Sequence, residues 1–320
     1  MAQKHCRRAI PQIFDYKLRN SYDIRKHLAQ FEGFSDAKKR HRSLVKFVKK
    51  YQSSHEDLIN CLSQCRPKNR CRLLACPMCM RRLRIWFCDQ VAPLIAAAPK
   101  EWLWVTLIPE RHYHPEGLLK DFNPQHLIDD LRKVFERYRL KNIVACGAID
   151  YCMEIRKTDK FKITYNWQPH CHLLFRVSEE LRHLLRTALN SIFSSSTLVE
   201  KPVYIAPLKS DGFEILKPIS YCVKARFYSV YNPPRSASKL KAKRKKQRMH
   251  GRHQAELASF LARNRLRDRL VLIGAKRVQK SIVLPARRDV RKTDAKATNF
   301  GVNTSDSVSK SAGKGLKPDS

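Results

Sequence analysis

From Glu101 to Glu110 the chain reads EWLWVTLIPE, a short apolar run rich in aromatic and β-branched residues and stopped by a proline, which predicts a buried strand over 102–108. A helix follows. Asn123 can cap it, Pro124 suits its first position, and Phe122 can staple onto Leu127 ahead of Leu131, Val134, Phe135 and Tyr138 at helical spacing. Val144–Ile155 reads as a second strand, a Lys-rich connection runs to Asn166, and Cys171–Val177 reads as a third. Ser178 then opens an amphipathic helix through Leu181, Leu184, Leu185, Ala188, Leu189 and Ile192. Val203–Pro207 adds a strand and 218–231 a helix. Residues 1–60 read as helical and basic, with Ser35 capping a helix through Leu44, Phe47 and Val48. This order of elements predicts an α+β fold whose central antiparallel sheet is of split βαβ, ferredoxin-like type, with helices on one face.

Charge narrows the partners. Among 320 residues, Lys plus Arg number 65 against 28 Asp plus Glu, a net charge of +37 that attracts polyanions, with nucleic acid foremost. The basic residues are not gathered on one amphipathic helix beside Trp and Phe, so a membrane-surface role fits less well. The N-terminus has no apolar signal core and the run near Val91–Ala98 is too short to span a bilayer, so a cytoplasmic protein with no membrane partner is expected. Past Pro233 and Pro234 the composition shifts: 235–320 holds 24 Lys plus Arg against 6 Asp plus Glu. This predicts a basic, largely disordered tail from 233, with one helix within 255–272 and Lys243, Arg244, Lys245 and Lys246 on DNA phosphates.

Eleven cysteines are an odd number, which argues against a fully paired disulfide framework. Five lie in CLSQCRPKNRCRLLACPMCMRRLR, residues 61–84. Cys65, Cys71, Cys76 and Cys79, with Cys61 as an alternative, suit a tetrahedral structural zinc, against the plainer reading of incidental free thiols. Arg81, Arg82 and Arg84 beside them can contact phosphate or shield the thiolates. The organisation expected is therefore a helical region (1–60), a zinc element (61–100), a core (101–232) and the tail (233–320).

In NWQPHCHLLF, residues 166–175, His170 and His172 lie two apart at the start of an apolar strand, so both imidazoles face one side and Cys171 the other. A second H-x-H, His112 and His114, falls in a polar proline-flanked loop without that geometry. A hairpin turn centred near 162 would set Glu154 opposite His170, making two imidazoles and a carboxylate around one divalent ion. The plainer alternative pairs Glu154 with Lys157 or Arg156. Further on, PISYCVKARFYSVY sets Tyr221 and Lys224 three apart on a helix face, where a cation could assist an otherwise weak phenol nucleophile. A core tyrosine beside a surface lysine is the bland reading.

The ordered set WVTLIPE, Glu154, PHCHLLF and YCVK resembles the three motifs of the HUH endonucleases, in particular the rolling-circle replication initiators of plasmids and phages. The resemblance covers about 60–230. It implies that His170, His172 and Glu154 hold Mg²⁺ or Mn²⁺, and that Tyr221 attacks a phosphodiester of single-stranded origin DNA, giving a 5′-phosphotyrosine and a 3′-OH primer. Lys224 would orient phosphate or ion. Host helicase and polymerase would be partners, and the cysteine cluster would be the zinc element that precedes the first motif in similar proteins. Ile108 departs from the first motif's usual hydroxyl, and Lys217 and Ala225 stand where a second tyrosine would be, so a single-tyrosine enzyme is expected. Tyr228, seven residues on, keeps a two-tyrosine mechanism open, and Glu214 is a candidate for activating water. The alternatives are a transposase or relaxase of the same chemistry, or a noncatalytic zinc-stabilised DNA-binding protein.

Overall fold

Two 14-residue strands, β3 (Val144–Lys157) and β4 (Ile163–Arg176), pair antiparallel along their whole length and carry the rest of the molecule. β3 is buried on both sides over its first twelve residues, as its near-continuous apolar run demands. Gly147 is required by close approach: a Cβ there would stand 2.1 Å from the His172 carbonyl oxygen. The computed structural model describes residues 33–157, 163–196, 198–208, 215–232, 245–279 and 281–284. All of these belong to one compact unit ending at Pro285.

The elements run α1 (Phe34–Tyr51), α2 (Glu56–Ser63), α3 (Pro77–Ala96), β1 (Trp102–Leu107), the two-residue β2 (His114–Pro115), α4 (Pro124–Arg137), β3, β4, α5 (Arg182–Ile192), β5 (Val203–Pro207), α6 (Leu216–Cys222), β6 (Tyr228–Asn232), β7 (Lys245–Arg248), α7 (Gly251–Arg263), β8 (Leu270–Ile273), β9 (Lys276–Val278) and β10 (Ser281–Val283). The main sheet is ordered β5-β1-β4-β3-β6-β7, with β2 added on β4 and β8 on β3. β4 thus lies between β1 and β3, which α4 connects. Asn123 caps α4 by accepting from the Gln125 amide at 3.0 Å, with Pro124 next, as the pattern predicted.

Several expectations are corrected. The sheet is mixed, because β6 runs parallel to β3. Helices cover both faces: Phe135 of α4 packs on Phe175, whereas Tyr221 of α6 packs on His172, three positions away in β4 and therefore on the opposite side. The region read as one helix over 218–231 breaks at Cys222, where Val223 leaves helical geometry, and resumes as β6. α1 starts at Phe34 after Gly33 rather than behind a Ser35 cap.

The expected tail is also corrected in part. Residues 245–279 and 281–284 are built into the fold: β7 pairs with β6, β8 with β3, and α7 packs on α1 so tightly that a Cβ on Gly251 would meet the Phe47 ring at 2.6 Å. The helix predicted within 255–272 is α7 at 251–263, followed by β8. β8 covers the edge of β3 at 145–148 and β6 covers it at 153–156, leaving a gap between them that contains Asp150. None of the described helices is long and apolar enough to cross a membrane.

Candidate functional site

Strand alternation places His170 and His172 on one face of β4, and the observed pairing sets Asp150, not Glu154, opposite His170. The β3–β4 register differs from the one the spacing predicts, so each β4 residue meets a β3 partner four residues earlier while its face is kept. Glu154 lies opposite Asn166. It is buried, but its carboxylate accepts from Arg156 at 2.9 Å and from Asn232, outside the histidine group. Asp150 carries no motif of its own within the predicted strand; a buried acid beside the two imidazoles is a signal that register alone reveals.

The Asp150, His170 and His172 ligand atoms all lie within 4.8 Å of one another. His170 Nε2 stands 3.1 Å and His172 Nε2 3.7 Å from Asp150 Oδ2. Each ring is fixed by its other nitrogen: His170 Nδ1 is 2.9 Å from the Gln168 carbonyl and His172 Nδ1 is 3.0 Å from Thr106 Oγ1. His172 Nε2 is buried and has no hydrogen bond among the described residues. Two imidazoles anchored at Nδ1, with Nε2 converging on a carboxylate, fit a divalent cation.

Tyr221 joins this group. Its ring centroid is 4.7 Å from that of His172 and 5.6 Å from that of Trp104, while Trp104 stacks on His172 at 5.5 Å. Lys224, just beyond α6, places Nζ 3.3 Å from the phenol oxygen and pairs with the Asp150 carboxylate. Burial works against the charge on Lys224, but Asp150 and the phenol outweigh it and hold the ammonium above its ordinary range. Burial likewise pushes Asp150 up, and Lys224 and His170 overcome it, leaving a carboxylate held well below the usual range. His172 is pushed down by burial, then by His170, Lys224 and, more weakly, Lys246.

A second layer is invisible in the sequence. Arg269, fully buried ahead of β8, donates to the Ile149 and Lys224 carbonyls at 3.3 and 2.8 Å, tying the residue before Asp150 to the residue that grips it. Arg84, expected on phosphate, is buried instead and donates to Ser220 Oγ at 3.1 Å, directly before Tyr221. Arg81 and Arg82 are part-exposed, and Lys245 and Lys246 are exposed on β7; Lys243, Arg244 and Glu214 lie outside the described residues. Tyr228 lies on β6, not on the face of α6, and so does not share Tyr221's helix. His112 is structural, its Nε2 3.0 Å from Asp130, and His114 packs on Phe122.

The cysteine set is Cys65, Cys71, Cys76 and Cys79, and Cys61 stands outside it. Sulfur separations of 3.6 Å (Cys65 to Cys76), 3.7 Å (Cys71 to Cys79) and 3.9 Å (Cys65 to Cys79) match the edge of about 3.8 Å that Zn–S bonds of about 2.3 Å give a tetrahedron. Cys76 stands at the N-cap position of α3 and Cys79 lies in its first turn, where backbone N–H groups favour thiolates. His41 of α1 adds Nδ1 at 3.5 Å from Cys76 Sγ. These four thiols can hold a metal ion.

Comparison of the chain with protein-family models, curated proteins and solved structures returns no match.

Proposed function

We propose that the protein is a metal-dependent nickase and strand transferase that opens single-stranded origin DNA through Tyr221 and so initiates rolling-circle replication, on an HUH-type, ferredoxin-like core. The observation that carries this reading is the meeting of phenol, ammonium, two imidazoles and a carboxylate in one place: Tyr221 packs on His172, and Lys224 bridges Tyr221 to Asp150.

Asp150, His170 and His172 would hold Mg²⁺ or Mn²⁺, which supplies Lewis-acid polarisation of the scissile phosphate. Tyr221 Oη forms a bond to phosphorus as the bond to the 3′ oxygen of the preceding nucleotide breaks. The phenol proton leaves to water and the 3′ oxygen takes one up, giving a 5′-phosphotyrosine and a free 3′-OH. Lys224 holds a positive charge beside the phenol oxygen as negative charge develops there and on phosphate. The half-buried Trp104 ring packs edge-on against Tyr221. The ester keeps the energy of the broken linkage, so rejoining uses no nucleotide, in keeping with a chain that carries no G-x-x-x-x-G-K-[ST] loop. The cysteine set would hold Zn²⁺.

The test is incubation with single-stranded origin DNA and Mn²⁺, followed by denaturing electrophoresis. A covalent adduct on the parent chain that is absent from Tyr221→Phe is expected. No adduct on any origin tested would leave a noncatalytic DNA-binding protein, and replication is separated from transposase or relaxase action by whether the nicked strand primes synthesis.

A further inference from the structure

Directly after Lys224, at Ala225, the chain enters the wall of a cavity of about 560 Å³ between α1, α7 and the β6–β7 pair. Lys39, Arg40, Arg226, Lys246 and Arg248 line it against a single carboxylate, Asp36. Arg40 anchors one side by donating to the Ala225 carbonyl at 2.5 Å. Burial, then the charges of Arg226 and Arg84, lower its pKa to about 10, so the cations here already repel one another. Such a gathering is stabilised by a polyanion.

The remaining walls suit a base. Tyr228 faces the cavity with the Arg226 guanidinium 5.2 Å from its ring centroid, and Leu257 and Leu261 add apolar surface. Aromatic and guanidinium planes beside cations are the elements with which proteins grip single strands, and the volume falls in the range of about 300–1,000 Å³ typical of small-ligand sites. Position ties the cavity to the candidate site, since Ala225 and Arg226 in its wall directly follow Lys224.

We propose that this cavity holds one nucleotide of the single strand being cleaved, with its base against Tyr228 and its phosphates among Arg226, Lys246 and Arg248. The strand assignment rests on the nicking function proposed for Tyr221; the affinity for a nucleotide does not. α1, β7 and α7, which complete the cavity, all lie outside residues 60–230, the span of the HUH-like resemblance, whereas Arg226 and Tyr228 lie within it.

The test uses the full chain and a fluorescein-labelled single-stranded oligonucleotide without divalent ion, so that binding is read apart from cleavage. Tyr228→Ala is expected to weaken binding about fivefold or more, the lower end for a stacked base. Arg226→Ala with Arg248→Ala, both at exposed positions, should lower the slope of log affinity against log salt by about 1.4, or about 0.7 for each phosphate no longer neutralised. Circular dichroism confirms that each variant is folded. Parent affinity and parent salt slope in both variants would overturn the proposal, even if Tyr221 forms its adduct. Weakened binding with no adduct on any strand would instead leave the cavity standing and remove the nicking function. A dAMP titration separates the two possible sources: saturation by dAMP without displacement of the strand overturns the strand assignment.

Discussion

At Asp150 and Glu154 two acids four residues apart on one strand face the same side of the sheet, yet only one can reach the histidines. Asp150 meets His170 and His172, whereas Glu154 is taken up by Arg156 and Asn232. Substitution should therefore separate two effects. Asp150→Ala is expected to abolish Mn²⁺ binding measured by calorimetry, and with it adduct formation. Glu154→Ala should leave Mn²⁺ affinity near the parent value while lowering stability by about 3 kcal/mol, the scale for removing one partner of a buried ion pair. Thr106→Val, which removes the hydroxyl on His172 Nδ1, should reduce ion affinity by about 10–100-fold. Loss of ion affinity in Glu154→Ala equal to that in Asp150→Ala would return the ligand role to Glu154.

At the scale of elements, the cysteine centre and the tyrosine are linked through one helix. α3 begins at the thiols, and one turn past Met80 it presents Arg84 to Ser220 on α6, beside Tyr221. If the cysteine set holds a metal ion, removing that ion with a chelator should therefore slow adduct formation even with Mn²⁺ in excess, because α3 loses its anchored start. Arg84→Lys isolates the link: the thiol site stays intact and the chain stays folded, but the rate of adduct formation at saturating DNA should fall by roughly tenfold or more, as expected for losing a hydrogen bond to a charged group. An unchanged rate in Arg84→Lys would mean that α3 supports the fold without positioning Tyr221. The same elements show what the sequence could reveal. β1, α4 and the face of the His170–His172 pair are legible because period and caps are local signals. The β3–β4 register is not, since the sequence at 158–162 carries no sharp signature and a slip by an even number of residues preserves every side chain's face. The break after Cys222 is masked in the sequence although Phe227, Tyr228, Val230 and Tyr231 favour a strand, because Tyr221 and Lys224 at helical spacing suggest that the helix continues.

The whole molecule is held together by its C-terminal third more than charge suggests. Nine Lys and Arg between Arg235 and Arg252 look like a solvated arm, but composition reports only the exposed side of such a segment. Beyond it α7 and β8 bury Leu257, Phe260, Leu261 and Val271 in the common core, and Arg269 reaches beneath the candidate site. At about 1.5–3 kcal/mol for each large apolar side chain, these four contribute about 6–12 kcal/mol, comparable with the total of about 5–15 kcal/mol that keeps a domain folded. A chain ending at Asn232 contains every residue of the HUH-like motifs and, by this comparison, should still fail to fold. A chain ending at Pro285, the boundary of the compact unit, should melt cooperatively within a few degrees of the full protein and form the Tyr221 adduct. Thermal melts followed by circular dichroism, with the adduct assay on both chains, decide the matter. If the chain ending at Asn232 melts cooperatively and reacts with DNA, then α7, β8 and Arg269 are accessory, and the fold and the candidate site stand without them.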